Sequence, residues 1–73
     1  MKRKLLIMRE MDGIFGFEEI AEHNLSNHKG LPEIIKQAKR ECTKMRRNEP
    51  NKQFAFMVLD TKGDTIHKEI YDE

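Results

Sequence analysis

The sequence holds a single cysteine, Cys42, among 73 residues. One thiol cannot close an internal disulfide, which excludes a small secreted domain stapled by bridges. Long hydrophobic runs are also missing. The longest, Leu5–Met8 and Phe54–Leu59, fall far short of the ~20 residues of a membrane-spanning helix. There is no excess of charge of one sign: the net charge of +1 gives no bulk attraction to nucleic acid. Serine occurs once, as Ser26 in a polar stretch. No Gly-x-Ser-x-Gly turn, no cysteine pair and no His-Glu-x-x-His is present, so nucleophilic and zinc chemistry find no starting motif. The glycines Gly13 and Gly16 do not form a phosphate loop, because no helix start follows at the required spacing.

What is present is a balance of 37% hydrophobic and 37% charged residues, too apolar for a disordered chain and too charged for a membrane protein. A chain this short buries only roughly 60% of its exposable surface on folding. The expectation is one domain over residues 1–73 with a thin core and little room for a substrate pocket. The start, Met1-Lys2-Arg3-Lys4-Leu5-Leu6-Ile7-Met8, mimics the basic end of a signal peptide. It is followed at once by Arg9, Glu10 and Asp12 with no small-residue cleavage site, which reads as a cytoplasmic protein.

The clearest element is a helix over Leu31–Arg47. Leu31, Ile34, Ile35, Ala38, Cys42 and Met45 fall on one arc about 100° wide. Gly30 suits the N-cap, with Pro32 in the first turn and Glu33 at the third helical position, where its charge suits the helix N-terminus. Asn48-Glu49-Pro50-Asn51 ends the helix. Cys42 lies on the apolar arc and reads as a small buried hydrophobe.

A hairpin follows. Phe54, Phe56 and Val58 alternate with Ala55, Met57 and Leu59, and Ile66, Lys68 and Ile70 alternate with Thr65, His67, Glu69 and Tyr71. Asp60-Thr61-Lys62-Gly63-Asp64 fits a type I turn closed by Gly63 in the left-handed conformation. The expected register pairs Asp60 with Asp64, Val58 with Ile66, Phe56 with Lys68 and Phe54 with Ile70. Ile66 and Ile70 would then lie under the helix.

Before the helix, Lys4–Met11 reads as a strand and Asp12-Gly13 as a hairpin turn. Ile14 to about Glu22 reads as its partner strand. Phe17, Ile20, Ala21 and Asn24 also fit a helix, and that alternative stands beside the strand. Asn24–Lys29 reads as a polar loop. The whole is an α+β domain, β-hairpin–α-helix–β-hairpin (ββαββ), with one amphipathic helix on an antiparallel sheet.

One helix cannot cover both faces of such a sheet. Ala55, Met57, Leu59 and Tyr71 are expected on the uncovered side, and the first hairpin carries apolar residues on both faces. The excess apolar surface predicts a protein partner or a second copy, as a homodimer, docking on Met57, Leu59, Tyr71, Ile7 and Ile14. The charge is uneven along the chain: residues 31–47 carry a net +4 and residues 48–73 a net −3. Lys36, Arg40, Lys44 and Arg47 form a ridge opposite the apolar arc, a surface for a protein partner or for nucleic acid. No aromatic residue interleaves the ridge, as single-strand binding would favour. His23, His28 and His67 read as surface side chains, with no metal and no cofactor expected.

The order of a strand pair, a lysine-rich helix and a final hairpin resembles many small domains, some of them phage-encoded accessory or inhibitor proteins. The resemblance rests on topology and composition and transfers no functional residue. It implies a small non-catalytic protein-binding module, a phage or mobile-element regulator or inhibitor that occupies a surface of a host protein. The alternative is a small nucleic-acid-binding protein using the basic helix face.

Overall fold

Two unbroken apolar runs, Leu5–Met8 and Phe54–Leu59, two more polar segments and one stretch of apolar residues at helical spacing become four strands and a helix. The computed structural model describes residues 2–11, 16–26 and 30–71. The elements are β1 (Lys2–Glu10), β2 (Phe17–Ser26), α1 (Leu31–Asn48), β3 (Phe54–Leu59) and β4 (Thr65–Tyr71). They form one antiparallel sheet in the order β2-β1-β3-β4, with the helix across one face. This is the expected ββαββ arrangement.

The helix begins as its sequence dictates. Gly30 is extended, and its carbonyl accepts from the N–H groups of Glu33 and Ile34 at 3.1 and 3.2 Å. Pro32 occupies the first turn, where it loses no helical hydrogen bond. The last turn carries Arg46 and Arg47, whose charges suit the carbonyl end. Ile34, Ala38 and Cys42 are fully buried on Leu5 and Ile7 of β1 and Phe54, Phe56 and Val58 of β3.

The final turn closes as expected. Gly63 has φ +91°, and its N–H donates to the Asp60 carbonyl at 3.1 Å. The Asp60 N–H donates to the Asp64 carbonyl at 2.8 Å, and the Asp60 carboxylate accepts from the N–H groups of Lys62 and Asp64. Asp64's N–H first, then those of Lys62 and Gly63, holds the Asp60 carboxyl below its ordinary value.

Beyond the turn the expected register fails. Leu59 pairs with Thr65, then a bulge intervenes, and Val58 pairs with His67, Phe56 with Glu69 and Phe54 with Tyr71. Every β4 side chain beyond the bulge therefore changes face relative to the expectation. Ile66 and Ile70 lie on the side away from the helix, 39% and 53% exposed. His67, Glu69 and Tyr71 turn toward the helix side. His67 stacks on Phe56 at 5.8 Å. Glu69 meets Lys39 at 3.3 Å and His67 at 3.1 Å, contacts that hold its carboxyl below the ordinary value, His67 more strongly. The Tyr71 hydroxyl lies 2.6 Å from the Thr43 hydroxyl. Because Thr43 also lies 2.8 Å from the Lys39 carbonyl, its proton goes there and Tyr71 donates to Thr43.

β2 is a strand, not the helix that residues 17–24 also fitted, and it runs past Glu22 to Ser26. The reading of Asn24–Ser26 as loop is corrected: Leu25 is buried in the core opposite Arg3. The expected turn at Asp12-Gly13 and the strand through Ile14 lie outside the described residues. On either side of them Glu10 pairs with Phe17, and the Met11 N–H donates to the Gly16 carbonyl at 3.0 Å. A second bulge falls between Ile7 and Met8, at Ile20 of β2.

Candidate functional site: the outer face of the sheet

Alternation along a strand sends successive side chains to opposite faces. Leu5 and Ile7 face the helix, so Lys4, Leu6, Met8 and Glu10 face away. On β3 the same rule sends Ala55, Met57 and Leu59 outward, and on β4 Ile66, Lys68 and Ile70. The outer face is thus an apolar band over β1, β3 and β4. Leu6, Met8, Met57 and Leu59 are half-buried. Ala55 is 1% exposed yet stands apart from the helix-side core, because Met8 and Ile70 flank it across the strands. Thr65 donates to the Met57 sulfur at 3.4 Å, fixing that side chain over the band.

The two edge strands carry opposite charge on this face, with Lys4 and Glu10 on β1 between them. Glu19 and Glu22 stand on β2 at one edge, and Lys68 stands on β4 at the other. Lys4 bonds Glu22 at 2.9 Å, a contact that raises the Lys4 pKa chiefly through that hydrogen bond. Lys68 is exposed and has no ion pair among the described residues.

The expected docking residues divide accordingly. Met57 and Leu59 are on the outer face. Ile7 is not: at 0% exposed it lies beneath the helix, because Leu5 and Ile7 supply the inward half of β1. Tyr71 is corrected too, turned to Thr43 by the β4 bulge. Ile14 lies outside the described residues. Leu6, Met8, Ile66 and Ile70 complete the face in their place. Leu6 and Met8 had been legible as one apolar face of the first hairpin, but no sequence signal marks the β4 bulge.

The basic ridge is placed as its spacing indicates. Lys36, Arg40, Lys44 and Arg47 are all exposed, and none has an ion pair among the described residues. Its flanks are engaged, Lys39 with Glu69 for instance.

The histidines correct a third expectation, since His23 and His67 are half-buried rather than solvated; His28 lies outside the described residues. His23 Nε2 approaches Glu41 Oε2 at 2.6 Å, both atoms shielded from water and not aligned as a hydrogen bond, so the contact joins β2 to the helix by charge when His23 is protonated. At one end of the sheet Arg9 donates to both oxygens of Glu49 at 3.1 and 3.0 Å and to Glu18 at 2.6 Å. These bonds, Glu18's first, raise the Arg9 pKa and tie β1 to β2 and to the turn after the helix. Among the described residues no helix is long and apolar enough to cross a membrane, and no cluster of three metal-ligating side chains occurs. A shallow cleft of about 430 Å³ lies between Lys4, Asn24 and the Asp60–Gly63 turn. It gathers no set of groups suited to a reaction.

No protein-family model, no curated protein and no solved structure matches the chain.

Proposed function

We propose that the chain is a small non-catalytic protein-binding module, and that its docking surface is the outer face of the sheet. The observation behind this reading is the band of Leu6, Met8, Ala55, Met57, Leu59, Ile66 and Ile70, which no element among the described residues covers. A sheet face open to water is ordinarily polar, and a contiguous apolar patch on a small domain marks an interaction surface. In its finer form the proposal is a regulator or inhibitor of a host protein, of the kind phages and mobile elements carry, working in the cytoplasm by occupying a surface. Capture of a partner, rebuilding of the complex from pure components, and substitution of Ile66→Asp and Ile70→Asp test it. Both substitutions should weaken the complex at least tenfold while the fold is kept, and raising salt from about 0.1 to about 0.5 M should change it little. A complex indifferent to both substitutions overturns the reading.

A second reading is binding of nucleic acid by Lys36, Arg40, Lys44 and Arg47, supported by four exposed cations with no ion pair among the described residues. It requires affinity that falls steeply as salt rises, by roughly one power of salt for each phosphate neutralised.

A further inference from the structure

The strand registers place four residues in one row across the outer face: Glu22 on β2, Leu6 on β1, Met57 on β3 and Lys68 on β4. An acid stands at one end, a base at the other, and two apolar side chains of similar length between them. Such a row is complementary to itself when a second copy is turned over about an axis parallel to the strands. The rotation lays β2 over the partner copy's β4 and β1 over its β3. Each Glu22 then faces a Lys68, and each Leu6 faces a Met57. A two-fold perpendicular to the strands would instead set Lys68 against Lys68 and Glu22 against Glu22.

The neighbouring row is compatible with the same axis. It reads Glu19, Met8, Ala55 and Ile70. The rotation brings Met8 over the partner copy's Ala55, which is only 1% exposed between its own Met8 and Ile70, so the contact there is made by those flanking apolar side chains. Glu19 meets Ile70 only at the rim, where the carboxylate stays in water. In the third row Lys4 lies over Leu59, its aliphatic stem on the apolar side chain and its ammonium beside Glu22.

From this arrangement we infer that a second copy of the chain covers the outer face, the two sheets stacked face to face about a two-fold parallel to the strands, with Glu22 of each copy paired to Lys68 of the other. The inference rests on the outer face being a docking surface: a second copy covers it in the free protein, and a host partner docking there would displace that copy. Stacked sheets lie about 10 Å apart and turn by about 30°. At the rim, about 7 Å from the axis, that turn displaces opposed residues by about 4 Å. A lysine side chain spans this displacement. The product is a four-layer helix–sheet–sheet–helix sandwich. The face is only about 19 Å across four strands, at the small end of specific interfaces, so micromolar association is expected.

The test uses sedimentation equilibrium from about 10 μM to about 1 mM, the range in which so small an interface associates. The unmodified chain should form dimers. Lys68→Glu and Glu22→Lys should each weaken self-association at least tenfold, because each places like charges at both ends of the central row. An equimolar mixture of the two variants should recover the unmodified affinity within threefold, since every end of the mixed dimer again joins an acid to a base. Circular dichroism confirms the fold of each. Should a reversal fail to fold, Lys68→Gln replaces it and must still weaken dimers at least threefold. A monomer at 1 mM overturns the inference, and the Ile66 and Ile70 variants then decide separately whether another protein docks there. Dimers that ignore the reversals, or a mixture that does not recover, overturn the proposed two-fold.

Discussion

Val58 pairs with His67, not with Ile66, and this single offset decides which side chains of β4 join the core. The helix lies over β1 and β3. Over β4 it presents its flank, where Lys39 and Thr43 carry polar groups. Glu69 and Tyr71 bond to that flank, whereas Ile66 and Ile70 would leave it unpaired. The bulge at Leu59 thus exchanges two buried isoleucines for satisfied polar groups and moves apolar surface to the outer face.

Two aspartate substitutions separate the observed register from the simpler one. Ile70→Asp should leave the unfolding free energy from a urea titration nearly unchanged, within about 0.5 kcal/mol, as for other surface changes. Ile34→Asp should unfold the chain, because an unpaired carboxylate under the helix costs several kcal/mol out of a total of about 5–15 kcal/mol. A collapse caused by Ile70→Asp would mean that β4 is registered the other way.

Cys42 should resist alkylation in the folded protein. Burial first, then the charge of Glu41, pushes its thiol up from 9.0 to about 11. The thiolate is the reactive form, so its population near neutral pH is lower by about a hundredfold. Iodoacetamide labelling followed by mass spectrometry should be at least that much slower in buffer than in denaturant. Equal rates would place Cys42 outside the core.

Acid should erode stability through Asp60 and Glu69. Both carboxyls are held below their ordinary values of 3.8 and 4.5 in the native state. Their contribution is therefore complete above the ordinary values and is withdrawn as pH falls through the lower native ones. Asp60→Asn should lower the melting temperature modestly at pH 7 and flatten part of the acid limb. Parallel curves for the variant and the unmodified chain would show that the turn contributes nothing to it.

Reversal of Lys36, Arg40 and Lys44 to glutamate tests the helix ridge. All three point away from the core, so the melting temperature should move by only a few degrees. Binding to a nucleic acid or acidic partner that uses the ridge should fall by at least an order of magnitude. Binding that survives all three reversals leaves the ridge as a solvated face.

The helix was legible because six apolar residues keep one arc and the stop signal is strong. The last turn was legible because Asp60 and Gly63 each have a backbone task that few other residues perform. The faces of β4 were not. Both alternating sets in Thr65–Tyr71 hold residues that can sit inside, and alternation carries no information about a bulge. In β2, Leu25 was hidden by polar neighbours, although Ala21, His23 and Leu25 keep the strand period on the helix side. The excess of apolar surface on the outer face was legible from the residue count alone. Its membership was legible in part: Ala55, Met57 and Leu59 follow from alternation and Leu6 and Met8 from one face of the first hairpin, whereas Ile7 lies beneath the helix and the bulge replaces Tyr71 by Ile66 and Ile70.

The position of β1 as an interior strand sets the order in which the chain can assemble. The two hairpins and the helix draw on near neighbours and form quickly. The seam between β1 and β3, where Leu5 meets Val58 and Ile7 meets Phe56, closes a loop of roughly fifty residues, whose entropy must be met before those contacts contribute. Closing that seam is the expected slow event of folding, to be checked by stopped-flow refolding. Truncating Ile7 or Phe56 will slow folding, whereas loosening β4, which docks onto a finished β3, will chiefly hasten unfolding.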